Sequence, residues 1–169
     1  MILCLCLSAC ATPKYEPINL MPENIPQAKQ QFDAELKSTT VMLAPKNEQT
    51  GEVKVAPDFL NLWKESLQTS VDKAGIFADD AKRKISIEVH VKKFDFNPTG
   101  FSNKVTVEAV YKVIDRSTRA IVFEHNTITS SKMGSGEIWV AFERLKRIWN
   151  RATQESIHQF MLALNNAKI

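Results

Sequence analysis

Two hydrophobic periods alternate along the chain. Residues 39–44 (TTVMLA) form a short apolar run that Pro45 stops, and a polar loop containing Gly51 follows over 46–56. Pro57 then opens a different pattern. Phe59, Leu62, Trp63, Leu67, Val71 and Ala74 recur at helical spacing, which places them on one face of a helix. Proline suits the first helical turn, where its missing N–H would have had no intrahelical partner. Asp58 adds negative charge at the positive end of the helix dipole. Gly75 is placed to cap the other end, with Ile76 supplying the apolar contact that accompanies such a cap.

After residue 84 the period falls to two. Ile85, Ile87, Val89 and Val91 alternate with Ser86, Glu88, His90 and Lys92, as in a strand with one buried and one wet face. Beyond Lys92 and Lys93 the apolar parity flips to Phe94 and Phe96. A one-residue slip of this kind predicts a β-bulge or a strand end. NPTGFSN (97–103) reads as a turn. Val105, Val107, Ala109, Tyr111 and Val113 make the next alternating strand, and residues 115–119 a hairpin connection. A further strand runs over 120–130, with Ile121, Phe123 and Ile128 as its inward candidates. Residues 133–136 (MGSG) read as a flexible link, and Gly134 and Gly136 are alternatively an anion site ahead of a helix. A long helix is expected over 137–164, with Trp139, Phe142, Leu145, Trp149, Ala152, Ser156 and Phe160 along one stripe.

The order is β-α-β-β-β-α. Strands with one apolar face need cover on one side only, and two amphipathic helices provide it. The predicted fold is α+β: a two-layer sandwich with a four-stranded mixed sheet and two helices on one face. The first β-α-β unit gives the parallel pair with a right-handed crossover, and the last three strands form an antiparallel meander.

The N-terminus carries a different signal. Leu7-Ser8-Ala9-Cys10 has the shape of a bacterial lipobox, with small residues before a cysteine and a polar stretch directly after it. Residues 1–9 read as the remnant of a signal peptide, shorter than usual and without the basic start; a fortuitous apolar N-terminus with a buried or free cysteine is the alternative. Cys10 is the expected lipidated residue, and Ala11 in place of Asp suggests outer-membrane sorting facing the periplasm. Cys4, Cys6 and Cys10 are the only cysteines, so the domain beyond them contains no disulfide and no thiolate metal ligand. Two or three acyl chains anchor a protein firmly where one does so marginally. Pro13, Pro17, Pro22 and Pro26, spaced among Lys, Glu, Gln and Asn, make 10–37 the expected flexible tether, with a short helical piece over 27–36. The domain itself is expected over 38–169.

Composition narrows the chemistry. A net charge of +3, dispersed over 169 residues, gives no footprint for nucleic acid. No apolar run approaches the ~20 residues a membrane-spanning helix needs. The histidines are His90, His125 and His158. Glu88 with His90, or Glu124 with His125, would form an acid–base pair only if the strands brought them together; solvated or packing histidines are the alternative. No HExxH, GxSxG, P-loop or metal-ligand spacing is present, so no catalytic residue, metal or cofactor is assigned. Arg144, Arg147 and Arg151 share one face of the last helix and are candidates for an anionic-partner patch, a solvated helix back being the alternative. Lys82, Arg83 and Lys84 read as a loop of solvated charge, the alternative being that they join that patch. Phe94, Phe96 and Phe101, clustered where the alternation breaks, are candidate partner contacts; the alternative is that they cap the core.

The lipobox, the proline-dotted stretch, the element order and Ser156-Ile157-His158-Gln159-Phe160 in the last helix together resemble the YajG-type family of Gram-negative outer-membrane lipoproteins. The architecture is also similar to lipoproteins of the LPS-assembly (LptE) and lipid-transport (PqiC) kinds. The resemblance implies a non-catalytic, lipid-anchored module that contacts the membrane through its anchor and serves an envelope protein partner. A lipid- or envelope-glycan-binding lipoprotein is the alternative function.

Overall fold

The computed structural model describes residues 17–99, 102–134 and 141–168, with only the backbone described at 97–99, 102, 103, 134, 141, 142 and 144. Cys10, Phe101 and the predicted helix start at 137–140 lie outside these residues. The elements are β1 (Glu35–Leu43), a single 3-10 turn (Lys46–Glu48), α1 (Pro57–Ala74), β2 (Lys84–Thr99), β3 (Ser102–Asp115), β4 (Ile121–Gly134) and α2 (Ala141–Asn165). The sheet order is β1-β2-β3-β4. β1 and β2 are parallel, and the other two pairings are antiparallel. This is the expected α+β fold, a four-stranded mixed sheet with two helices.

α1 begins and ends where its sequence signals place it. Pro57 occupies its first turn, and Gly75 takes the left-handed conformation (φ 64°) as it donates its N–H to the Asp72 carbonyl at 3.1 Å. That backbone geometry strains any residue with a Cβ, which is why glycine sits there. Phe59, Trp63, Leu67, Val71 and Ala74 are buried against the sheet. Opposite them stand Ile85, Ile87, Val89 and Val91 of β2 and Val105, Val107, Ala109, Tyr111 and Val113 of β3, all fully buried.

The parity break in β2 is a bulge, and its effect differs from the expectation. The register with β3 shifts between Val91 and Lys93. One extra residue on the outer side returns Phe94 to the covered face, opposite Val107. Phe94 is therefore 1% exposed and makes edge-to-face contacts with Phe59 (5.2 Å between ring centres) and Trp149 (5.7 Å). It is a core residue and not a free partner contact. Phe96, paired with Val105, is partly buried and packs on the same core.

Three further boundaries move. Residues 97–99 continue β2 and pair with 102–104, so the expected seven-residue turn is much shorter. Met133 and Gly134 belong to β4 and not to a flexible link; Met133 pairs with Asn103 and is buried. The largest correction concerns residues 17–34. They are not a free tether, and 27–36 is not helical. Leu20, Phe32 and Ala34 join the hydrophobic core. The backbone is tied down by Ala28 N–H to the Ala74 carbonyl (2.9 Å) and Phe32 N–H to the Ile76 carbonyl (2.8 Å). Asn165 of α2 donates its amide to the Gln27 carbonyl at 2.8 Å and accepts from the Lys29 N–H at 2.7 Å. The prolines do keep the segment free of helix, as proline should. A non-helical strap with apolar residues at intervals covers the gap between two helices as readily as it spans solvent.

Under α2 lies a buried polar network. Ser156 Oγ sits 2.8 Å from Tyr111 Oη and 2.7 Å from Thr127 Oγ1, and Thr129 Oγ1 donates to the Ala152 carbonyl at 2.7 Å. Burial raises the Tyr111 phenol pKa well above its ordinary value, against a smaller opposing effect of its Ser156 bond, so it stays protonated. The Tyr111 ring stacks on Phe160 at 4.5 Å. These contacts run α2 antiparallel to β4 over the β3–β4 seam.

Candidate functional site

The back of α2 and the strap that crosses it form the most distinctive polar surface. Gln154 of α2 donates its side-chain amide to the Asn19 carbonyl at 2.8 Å. Leu20, one residue on, is inserted into the core with 1% exposure and pins the strap in place. Between the strap and α2 open two adjoining grooves. One, of about 490 Å³, is lined by Pro22, Glu23, Asn24, Arg151, Gln154, Glu155 and His158. The other, of about 360 Å³, is lined by Pro17, Asn19, Glu23, Arg147, Asn150, Arg151 and Gln154. Arg151, Gln154 and Glu23 are common to both.

Two of the three predicted arginines thus meet at one place. Arg147 is half-buried and Arg151 exposed; Arg144 lies in α2, where only its backbone is described. The sequence pattern identified the arginines but not the second wall. Asn19, Glu23 and Asn24 come from more than a hundred residues away in the chain, and only the strap's packing brings them near. The groove is also less purely basic than expected, because Glu23 and Glu155 stand among the arginines. Guanidinium groups offer fixed forks of N–H donors to phosphate or carboxylate. Side-chain amides both donate and accept. A set of arginines, amides and carboxylates suits a hydroxyl-rich or mixed-charge ligand better than an acyl chain.

The other basic residues have partners elsewhere. Lys146 is buried, with Nζ 2.8 Å from Glu143 of the same helix. Arg83 donates Nε to Asp115 at 2.9 Å, and Lys84 pairs with Glu35. Arg83 and Lys84 lie at the end of the sheet far from Arg147, so this run does not join the patch. Asp115 itself accepts from the Ser117 hydroxyl at 2.6 Å and from the Ser117 and Thr118 N–H groups. The Ser117 hydroxyl and then the Arg83 guanidinium hold its carboxyl well below the usual carboxylate range. These bonds build the predicted hairpin, in which Arg119 takes a positive φ of 61°.

The histidines are not brought together. His90 lies on the uncovered face of the sheet with Nε2 3.5 Å from Glu88. His125 stacks against Phe123 on the covered side, while Glu124, one residue before it, points to the other face. His158 lines the larger groove. Among the described residues no group of three histidine, cysteine or acidic side chains is arranged to hold a metal, and no helix is long and apolar enough to cross a membrane.

No protein-family model matches the chain, and no curated protein matches its sequence. Solved structures do match its shape. A Xanthomonas campestris protein of the DUF330 family shares 13% identity with a TM-score of 0.51, over 86% of this chain and 92% of that one. A Caulobacter crescentus protein assigned as a lipoprotein shares 13% identity with a TM-score of 0.50, over 79% and 88%. A minor lipoprotein of Acinetobacter baumannii is similar at 8% identity and a TM-score of 0.47, over 68% and 89%. At these identities the likeness is one of fold alone.

Proposed function

We infer that this chain is a non-catalytic envelope lipoprotein of the YajG type, acylated at Cys10, held at the outer membrane and facing the periplasm. Its task is to engage an envelope partner through the groove between the strap and α2. The observation that carries this reading is the convergence of Arg147, Arg151, Asn150, Gln154, Asn19 and Asn24 in one open, polar cleft. Position adds support. Only six residues lie between Cys10 and Pro17, a reach of at most ~25 Å over the seven steps, so an anchor at Cys10 would hold the groove close to the headgroup layer.

The polar lining favours a second reading within the same site, in which the groove binds a phosphorylated headgroup or an envelope glycan directly. Mild-detergent extraction of the full-length protein followed by mass spectrometry separates the two. A stoichiometric protein partner supports the assembly module, and a bound lipid or glycan supports the binding protein. Neither should accompany an Arg147→Ala/Arg151→Ala variant. Cleavage before Cys10 with added acyl mass is expected in the same spectra, and a Cys10→Ala protein that still fractionates with membranes would refute the anchor.

A further inference from the structure

The two edges of the sheet are treated differently. β1 has nine residues, and beyond its end the loop takes over its place beside β2. Thr50 N–H reaches the Lys92 carbonyl (3.1 Å), and Phe94 N–H reaches the Glu52 carbonyl (2.9 Å). β4 has fourteen residues, and among the described residues no backbone hydrogen bond reaches it from its outer side. An edge of this length presents a row of unpaired N–H and C=O groups, a template for another strand. The usual protections are sparse. β4 contains no proline, its register with β3 is regular from Phe123 onward, and Glu124 and Lys132 are its only charged residues. Its Ile128 and Ile121 are 65% and 50% exposed, the most exposed large apolar side chains among the described residues.

We propose that two copies of this chain pair antiparallel along β4, with Ile128 on the two-fold axis and Glu124 of each copy opposite Lys132 of the other. The register follows from self-complementarity. Glu124 and Lys132 each lie four positions from Ile128 on the same sheet face, so only the pairing centred on Ile128 brings opposite charges together twice. It also sets Thr127 against Thr129, Asn126 against Ser130 and Phe123 against Met133. Within one copy Lys132 stands opposite Lys104, a like-charge pair, and Glu124 lies 4.0 Å from Lys112. A Glu124 from the second copy relieves the lysine pair.

The helical layer permits the contact. Ser156 of α2 touches both Tyr111 of β3 and Thr127 of β4, so the helix lies over their seam. With strands ~4.8 Å apart, two such helices related by the axis would run side by side at about 10 Å, a normal helix-packing distance. The result is a continuous eight-stranded sheet with its helices on one side, an isologous dimer.

The test uses the full chain with Cys4, Cys6 and Cys10 replaced by serine. Sedimentation equilibrium should show a dimer. Glu124→Lys and Lys132→Glu should each weaken it at least tenfold, and the double variant should recover it. In the same background Ile128→Cys should form an intermolecular disulfide on mild oxidation, because a residue on the axis faces its own copy within bridging distance. Asn126→Cys, which faces Ser130, should not. A chain that stays monomeric at all concentrations overturns the proposal. So does a dimer indifferent to both charge changes, or one cross-linked as well through residue 126 as through 128.

Discussion

The two faces of α2 do opposite work. Its inner face holds Ser156, Phe160 and Ile148, all fully buried, and every polar atom of the Ser156 network is matched across the sheet. Its outer face holds Arg147, Arg151, Gln154 and His158 beside a strap whose contribution is mostly amide and carboxylate. One helix thus carries the fold on one side and, in the function proposed above, presents a recognition surface on the other. The difference teaches which substitutions read stability and which read binding. Inner-face changes should lower the unfolding free energy whatever the partner is. A change at the exposed Arg151 of the outer face should leave it alone.

The largest effect is expected on the inner face. Phe160→Ala removes the ring stacked on Tyr111 and packed near Phe123. A cost of about 3–5 kcal/mol is expected from the lost transfer energy and the cavity left behind, measured as a fall in the urea midpoint. A midpoint unchanged within error would mean that α2 does not pack as described.

The strap comes next, because it belongs to both faces. Leu20→Ala should cost about 2–4 kcal/mol if Leu20 is a full core residue. Deleting residues 17–30 should cost more, since Ala28 and the Gln27–Asn165 bonds go with it. Melting curves that coincide with the intact protein would return this segment to the status of a tether and dissolve the groove's second wall.

Ser156→Ala sits in the middle of the range. It strips Tyr111 of its hydroxyl partner and Thr127 of one of two. Leaving such a buried group unsatisfied costs about 1–3 kcal/mol. A Tyr111→Phe/Ser156→Ala double variant should recover part of the loss, because the orphaned hydroxyl is gone.

Acid acts on neither face. Asp115 has a folded-state pKa below its unfolded one, so its contribution is present at neutral pH and is lost as the pH falls through the depressed value. Unfolding midpoints followed from neutrality into acid should therefore decline less steeply in Asp115→Asn than in the native chain. Parallel curves would show that the hairpin bonds of Asp115 carry no such linkage.

Much of this architecture could be read from residue order. Pro57 and Gly75 bound α1 because each has a local backbone reason to be there, and the strand alternation shows which side chains face the helices. The break after Val91 is also legible as a slip, but not its consequence. A bulge adds a residue and restores the face, so Phe94 goes inward. The strap has no such local signature, since its proline and amide content resembles a linker and its ties are non-local: Ala28 to Ala74, Phe32 to Ile76, Gln27 to Asn165. Arg147 and Arg151 could be placed on one face by spacing alone. That the face is a groove depends on those same distant ties, and no local pattern announces them.

The smallest expected change in stability is therefore the most telling. Arg151→Ala alters an exposed side chain of the outer face that lines both grooves. Native mass spectrometry of the protein extracted from membranes, wild type beside this variant, tests the central claim most directly. The wild type should retain a bound partner, lipid or glycan that the variant has lost, while both unfold within about 0.5 kcal/mol of each other, as surface substitutions usually do. A variant that keeps the same bound mass, or loses it only as it unfolds, would contradict the assignment of the groove.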